Sequence, residues 1–207
     1  MTIRNKFFLG NIVPESNWNE LDKNSYNEVY DRLQKGGQYC SATLEYLKNN
    51  NVKLGYHAQD NSGGGWTFFR NITLAPGENP NDPYTLSLII HEVFHLQQSM
   101  LVRLSVFGEL RAWQYQKKAY YEIAEKEIGE IGQAFSGKQD LWDEIAKLIP
   151  DSRDDLAQAQ ELMGKIATGY RSDCLPLYPL SKEIWYHLIR GEFRAGYDAV
   201  KNLVTCR

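Results

Sequence analysis

The chain has 207 residues, 43% of them hydrophobic and 24% charged, with a formal net charge of −3 and an isoelectric point near 5.8. This composition is typical of a globular protein and predicts one domain over residues 1–207. The acidic balance argues against a nucleic-acid partner, and the apolar runs are too short to span a membrane. Three widely spaced cysteines and the lack of a signal-peptide pattern predict a cytoplasmic setting.

The first half of the chain predicts two helices followed by a small sheet. Apolar and aromatic residues recur at helical spacing over residues 25–35, and a glycine pair predicts the end of that helix. A second short helix is predicted over residues 42–48. The segments 52–56 and 66–70 are rich in β-branched and aromatic residues and predict strands, and 72–74 extends or follows the second strand.

The next helix has a clear start signal. Asp82 is a good N-cap, Pro83 suits the first helical position, and apolar residues on most sides as far as Leu96 predict a buried helix. After a break near 104–108 the helical spacing returns. Further helices are predicted over residues 109–131, 141–149, 156–166 and 184–204. The fold class predicted is therefore α+β and mainly helical.

The buried helix carries the sequence His-Glu-Val-Phe-His. His91 and His95 lie four residues apart and project from one face, so one zinc ion can bind both. A catalytic zinc site has three protein ligands and leaves the fourth position to water. Glu92 lies beside that position, where its carboxylate can take a proton from the zinc-bound water and pass it to the leaving amine. Burial of these groups in an apolar helix favours a metal site over a hydrogen-bonded cluster.

The third ligand must come from outside this motif. The pattern HExxHxxGxxH is excluded, because Gln98 and Leu101 stand where it needs glycine and histidine. Glu109, fourteen positions after the second histidine, can return level with the metal if the helix ends about two turns beyond that histidine. Glu122 and Glu125 are the alternatives if the turn is wider. A solvated glutamate at a helix start also explains Glu109.

These residues resemble a known family. The segment 86–98 with its HExxHxxQ core, followed by Glu-Leu-Arg-Ala at 109–112, is similar to the gluzincin clan of zinc metallopeptidases. In its compactness the chain resembles the minimal members called minigluzincins. The resemblance covers residues 66 to about 116, a quarter of the chain.

The resemblance implies both a fold and a site. The fold would be a zincin-like core, with a small β-sheet packed on the HExxH helix and an upstream strand lining the cleft. The site would hold one Zn²⁺ through His91, His95 and Glu109. Glu92 would act as general base and acid.

A peptidase also needs a substrate-binding edge and an oxyanion donor. Strand 66–70 can bind substrate as an added strand, although burial in the core also explains its aromatic residues. Tyr178, Tyr186 and His187 are candidate oxyanion donors, and a packed aromatic or surface role also explains each of them. Cys206 is a candidate thiolate ligand that would keep the enzyme latent.

The function predicted first is hydrolysis of a peptide or protein substrate by a zinc metallopeptidase. The alternative is an inactive protein of the same fold that keeps the metal as a structural element and binds another protein. Retention of Glu92 favours the enzyme, since a structural zinc site does not need a free carboxylate. A third alternative is hydrolysis of a non-peptide amide or ester. No nucleic-acid or membrane partner is predicted.

Overall fold

The structure is a computed structural model that describes residues 12–13, 18–57, 64–67, 71–75, 78–128, 139–166 and 175–205. The helices are α1 (Lys23–Lys35), α2 (Gln38–Asn49), α3 (Pro83–Gln97), α4 (Met100–Arg103), α5 (Val106–Ile128), α6 (Gln139–Ile145), α7 (Arg153–Ile166), α8 (Leu180–Ile189) and α9 (Phe193–Thr205). The strands are β1 (Ile12–Val13), β2 (Trp18–Glu20), β3 (Leu54–His57), β4 (Gly64–Thr67) and β5 (Ile72–Leu74). The mainly helical α+β prediction is confirmed. Within these ranges no helix has both the length and the apolar character needed to cross a bilayer.

The strands form one mixed sheet in the order β1-β4-β5-β3-β2. β4 runs antiparallel to β5, β5 runs parallel to β3, and the short strands β1 and β2 lie at the two edges. The predicted edge role of segment 66–70 is wrong where it is described. Ile12 and Val13 of β1 already pair with Trp66 and Thr67, so no free edge remains there for a substrate strand. Residues 68–70 lie outside the described part of the chain.

Helix α3 begins at the predicted cap and lies between the sheet and α5. The Asp82 carboxylate accepts hydrogen bonds from the backbone N–H groups of Tyr84 (2.9 Å) and Thr85 (3.1 Å), and Pro83 occupies the first turn. One side of α3 contacts β4 and β5, and it also packs extensively against α5. This packing explains why α3 is apolar on most sides and why the polar residues it carries are buried.

Two hydrophobic clusters meet at α5. The first joins α1, α2, the sheet and α3, and α5 contributes Ala119 and Ile123 to it. The second joins α5, α6 and α7 with the loop before α8, and α5 contributes Leu110, Trp113 and Tyr120 to it. Because a single helix is shared by both clusters, α5 sets the position of one relative to the other.

The last two helices form a hairpin. A single helix over residues 184–204 is the wrong prediction, because α8 ends at Ile189 and α9 begins at Phe193. Gly191 adopts φ +72° in the turn, a conformation that glycine tolerates without steric cost. Apolar spacing continues on both sides of this turn, so the periodicity alone does not detect it.

Candidate metal centre

The structure brings together three of the predicted site residues. His91 and His95 stand one turn apart on α3, and Glu109 faces them from the first turn of α5. The His95 Nε2 atom lies 3.0 Å from His91 Nε2 and 3.2 Å from Glu109 Oε2, and the remaining His91–Glu109 distance is 3.7 Å. Ligand atoms at the corners of a tetrahedron around an ion bound at 2.0–2.1 Å are about 3.3 Å apart. The three donors therefore fit one small tetrahedral ion, and they could hold a metal.

The hydrogen bonds around Gln98 determine the tautomer of His95. The Gln98 amide nitrogen donates to the Gly108 carbonyl (3.0 Å), so its Oε1 atom must face His95 Nδ1, 3.1 Å away. Since an amide oxygen only accepts, Nδ1 of His95 carries the proton. In neutral His95 the Nε2 lone pair then points at His91 and Glu109, as a metal ligand requires.

When their lone pairs converge, as metal ligation requires, the three atoms favour a positive charge between them. Burial alone would raise the pKa of Glu109, yet the two histidines hold it well below its ordinary value. Burial has the opposite effect on an imidazole and lowers the pKa of His91. For His95, the Glu109 carboxylate outweighs burial and raises the pKa. In the absence of metal, a shared proton offsets the repulsion between the converging lone pairs. A divalent cation offsets this repulsion more completely.

Glu92 is a buried carboxyl group beside this triad. It is 1% exposed, and its Oε2 atom has no hydrogen-bond partner among the described residues. Burial raises the pKa of Glu92 to about 8. A carboxyl whose pKa lies near neutrality is suited to accept and return a proton.

The connection between α3 and α5 differs from the prediction in one respect. The HExxH helix ends at Gln97, two residues beyond its second histidine and not two turns beyond it, and the short helix α4 fills the gap. The Arg103 guanidinium donates to the carbonyls of Leu96 (3.3 Å) and Gln98 (2.8 Å) and so caps the C-terminus of α3. This tight reversal is what returns Glu109 to the level of the histidines.

A glycine is required where α5 begins. A Cβ atom on Gly108 would lie well inside 3.0 Å of the Val102 carbonyl, a separation that real Cβ atoms essentially never show. The Ser105 hydroxyl donates to that same carbonyl (2.6 Å) and accepts from the Gly108 N–H (3.1 Å). The close contact therefore sets the start of α5 and, with it, the position of Glu109.

Two further α5 residues surround His91. The Trp113 ring meets the His91 ring edge to face, with 6.3 Å between centroids. Gln116, two turns beyond Glu109, is buried, donates to Ser87 Oγ (3.4 Å) and contributes to the environment of His91. The sequence analysis assigns no role to either of them, and Gln98 enters it as part of the HExxHxxQ core and in excluding another motif. Trp113 and Gln116 lie four and seven residues after Glu109, on the same face of α5. Once Glu109 is taken as a ligand, this spacing is the sequence signal that identifies them.

The alternative third ligands do not join the triad in the described structure. The Glu122 carboxylate accepts hydrogen bonds from the backbone N–H groups of Gln38 (2.9 Å) and Tyr39 (3.3 Å) at the start of α2. The side chain of Glu125 and the whole of Cys206 lie outside the described part of the chain. Among the described residues, Glu109 is the carboxylate that completes the donor set.

The candidate oxyanion donors have other partners. The Tyr178 hydroxyl donates to the Asp151 carbonyl (2.7 Å). His187 lies within hydrogen-bonding distance of Glu183 and Glu192. The Tyr186 ring lies under the Arg153 guanidinium at 4.3 Å. The structure therefore places all three in a network of α7, α8 and adjoining loops and gives none of them a contact with the triad.

The chain matches no protein-family model, no curated protein and no solved structure. What is known of the site therefore comes from its donor atoms, their distances and their burial. These observations define a buried His, His, Glu grouping that could hold a metal ion, next to Glu92, whose Oε2 atom has no hydrogen-bond partner among the described residues.

Proposed function

We propose that the protein is a zinc-dependent metallopeptidase with a zincin-like core. His91, His95 and Glu109 would hold one Zn²⁺, and Glu92 would be the general base and acid. The observation that carries the proposal is the spacing of the three donor atoms together with the carboxyl group of Glu92, which is not needed as a ligand. Two imidazoles and one carboxylate are a ligand set typical of catalytic zinc, whereas Mg²⁺ and Ca²⁺ prefer oxygen ligands throughout.

The bound ion would supply Lewis acidity and lower the pKa of a water molecule at its open position. The remaining steps belong to the chain. Glu92 would accept the proton of the attacking water and deliver it to the leaving nitrogen of the peptide. Gln98 would keep the Nε2 lone pair of His95 directed at the site, and Trp113 would hold the His91 ring in place.

The burial of the site favours a second candidate function. His91, Glu92, His95 and Glu109 are only 3%, 1%, 0% and 2% exposed, and structural metal sites are closed in this way. In this alternative the metal stabilises the α3–α5 pair and the protein acts by binding another protein. Glu92 distinguishes the two functions, because a closed structural site does not need a buried carboxyl group whose Oε2 atom has no hydrogen-bond partner among the described residues.

The experiment is metal analysis and peptide hydrolysis on the wild type, Glu92→Gln and Glu109→Ala. We expect stoichiometric zinc in the wild type and in Glu92→Gln, and loss of zinc in Glu109→Ala because a third ligand is removed. Glu92→Gln should reduce hydrolysis of a peptide library by at least about a hundredfold, the usual contribution of a general base.

Each other outcome selects a different conclusion. A wild type that holds zinc stoichiometrically but cleaves no peptide supports the binding protein. Cleavage of esters or non-peptide amides alone supports the third substrate class. A wild type that binds no zinc under any loading condition rules out the proposal.

A further inference from the structure

The α8–α9 hairpin exposes an unusual number of large apolar side chains. Trp185, Ile189, Phe193 and Tyr197 are each about two-thirds exposed, at 65%, 66%, 69% and 67%, and Leu188 is 42% exposed. They make up five of the eight exposed large hydrophobic residues in the described part of the chain. A set this dense on one hairpin is typical of an interaction surface, whereas single exposed apolar residues are common and need no explanation.

These five residues, named here the hairpin patch, follow helical spacing on both helices. Trp185, Leu188 and Ile189 are related by i, i+3 and i+4 on α8, and Phe193 and Tyr197 by i, i+4 on α9. The opposite side of the hairpin is packed, since Glu183 and His187 of α8 are buried and Leu203 of α9 joins the second hydrophobic cluster. The hairpin is therefore amphipathic, and its outward stripe has no partner among the described residues.

The size of the patch suits a protein partner. Three aromatic residues two-thirds exposed, together with two aliphatic ones, present about 600 Å² of mostly apolar surface. A stable interface of standard size buries about 800 Å² on each partner, so the patch and its polar rim reach that range. Two copies of the patch facing each other would form a small four-helix arrangement of the kind in which amphipathic helices commonly pack.

The charges around the patch identify the partner. Arg190 and Glu192 form an ion pair of 3.0 Å, and Arg194 lies 4.0 Å from Asp198 along α9, so the signs alternate across the turn. In an interface with two-fold symmetry, the same surface of both copies is used, so a contact from residue i of one copy to residue j of the other occurs twice. A pattern of alternating charges can then place a positive residue of one copy against a negative residue of the other. An anionic lipid surface is disfavoured, because the two arginines and two carboxylates that border the patch cancel and the whole chain carries −3.

We propose that the hairpin patch is the contact surface of a homodimer, in which α8 and α9 of two copies pack about a two-fold axis. Trp185, Ile189 and Phe193 would form the apolar centre. Arg194 of one copy would face Asp198 of the other at the rim. The surface shares no residue with the metal centre, so the dimer stands independently of the proposed peptidase activity.

The experiment is sedimentation equilibrium of the full chain for the wild type, the double variant Ile189→Glu/Phe193→Glu, and Ile149→Glu. Ile149 is a matched control, since it is 61% exposed and lies outside the hairpin. We expect a wild-type dimer, at least a hundredfold weaker dimerisation in the double variant, and no change in Ile149→Glu. Circular dichroism should show the native helix content in all three, because the substituted side chains are solvent-exposed.

A charge reversal tests the two-fold arrangement. Arg194→Glu should weaken the dimer about tenfold, and Arg194→Glu/Asp198→Arg should restore it, because the rim pair is rebuilt with reversed signs. A wild type that stays monomeric at about 100 µM, a hundred times a typical micromolar Kd, overturns the proposal. Dimers that persist in the double variant overturn it as well. So does a monomeric wild type that binds vesicles of phosphatidylcholine and phosphatidylserine through the same residues, since that result assigns the patch to lipid.

Discussion

Gln98 joins the two chain segments that supply the metal donors. Its Oε1 atom meets His95 Nδ1 at 3.1 Å, and its amide nitrogen donates to Gly108, the residue before Glu109. One side chain thus orients a ligand on α3 and holds the start of α5 beside it. Partners of this kind are usually worth ten- to a hundredfold in metal affinity.

We expect Gln98→Ala to weaken zinc binding by about ten- to a hundredfold, because His95 loses the acceptor that fixes its tautomer and the start of α5 is released. The measurement is competition against a chromophoric chelator. Gln97→Ala is the matched control, since Gln97 is the adjacent residue and is exposed. Equal affinity in the two variants would show that Gln98 does not position the ligand.

The sequence predicts the members of this site unequally. The two histidines are assigned to one site because i, i+4 spacing in a helix fixes their separation locally. The position of Glu109 depends on a reversal built by Arg103 and by the close contact at Gly108, and neither is visible as a pattern. From the sequence, Glu109 is therefore the nearest of several candidate carboxylates, and the resemblance implies it as the third ligand. The role of Gln98 follows only from three-dimensional contacts.

At the scale of elements, α2 depends on a residue far away in sequence. Gly37 at its N-cap offers no side chain, so the free backbone N–H groups of Gln38 and Tyr39 are satisfied by Glu122 of α5. Glu122 thus acts as a remote N-cap, and its negative charge also complements the helix dipole. This explains why a glutamate that was a candidate ligand has a structural role.

We expect Glu122→Ala to destabilise the protein by about 1 kcal/mol, the usual value of a lost N-cap, while zinc content stays at the wild-type level. Chemical denaturation with metal analysis on the same sample is the measurement. Lys118→Ala, also on α5 and exposed, is the control and should change neither quantity. Loss of zinc in Glu122→Ala would contradict the assignment of Glu109 as the third ligand.

Helices α7 and α8 are joined by an ion pair between the partly exposed Arg153 and the buried Glu183. The Arg153 guanidinium donates to both carboxylate oxygens of Glu183, at 2.7 and 3.0 Å, and Glu183 is 3% exposed. Burial acts to raise the pKa of Glu183, but the hydrogen bonds and charge of Arg153 outweigh it and lower the pKa below the ordinary value of 4.5. The pair therefore stabilises the ionised carboxylate in the folded state.

This shift predicts the pH dependence of stability. The contribution of Glu183 is complete above its unfolded pKa, near 4.5, and is lost as the pH falls towards the lower folded value, because the unfolded chain takes up the proton first. Glu183→Gln should lower the free energy of unfolding by about 2 kcal/mol at pH 7. In this variant the free energy of unfolding should also fall less steeply as the pH drops below 4.5. Urea denaturation as a function of pH is the measurement. Glu161→Gln, which removes an exposed pair with Lys165, is the control and should leave the profile nearly unchanged.

Among the elements, those with local signals were the easiest to predict. The start of α3 follows from Asp82 and Pro83, and β5 has the predicted bounds. β1 and β2 have two and three residues, and their pairing partners lie more than thirty positions away, so no local pattern indicates them. The break between α8 and α9 depends on the positive φ of Gly191, which apolar periodicity does not register.

At the scale of the whole molecule, metal binding and folding should be coupled. The donors belong to α3 and α5, and α5 is shared by both hydrophobic clusters. An ion whose free concentration is about a thousand times its Kd stabilises the folded state by about 4 kcal/mol. For a chain of this size, that stabilisation raises Tm by about 10 °C. Removing the metal should therefore lower the stability of both clusters together.

We expect a strong chelator to lower Tm by about 10 °C while the unfolding transition stays single. Differential scanning calorimetry is the measurement. Glu109→Ala should show no further shift with chelator, since its site is already lost. Two separate transitions after metal removal would show that the clusters unfold independently and that α5 does not couple them.

The burial of the donors also has a kinetic consequence. With His95 at 0% exposure between two packed helices, release of an ion from the proposed site would be faster when α3 and α5 separate locally. Such openings are rare events whose frequency follows the free energy of opening that part of the structure. We therefore expect an ion held by the proposed site to exchange slowly with free ions in the surrounding solution.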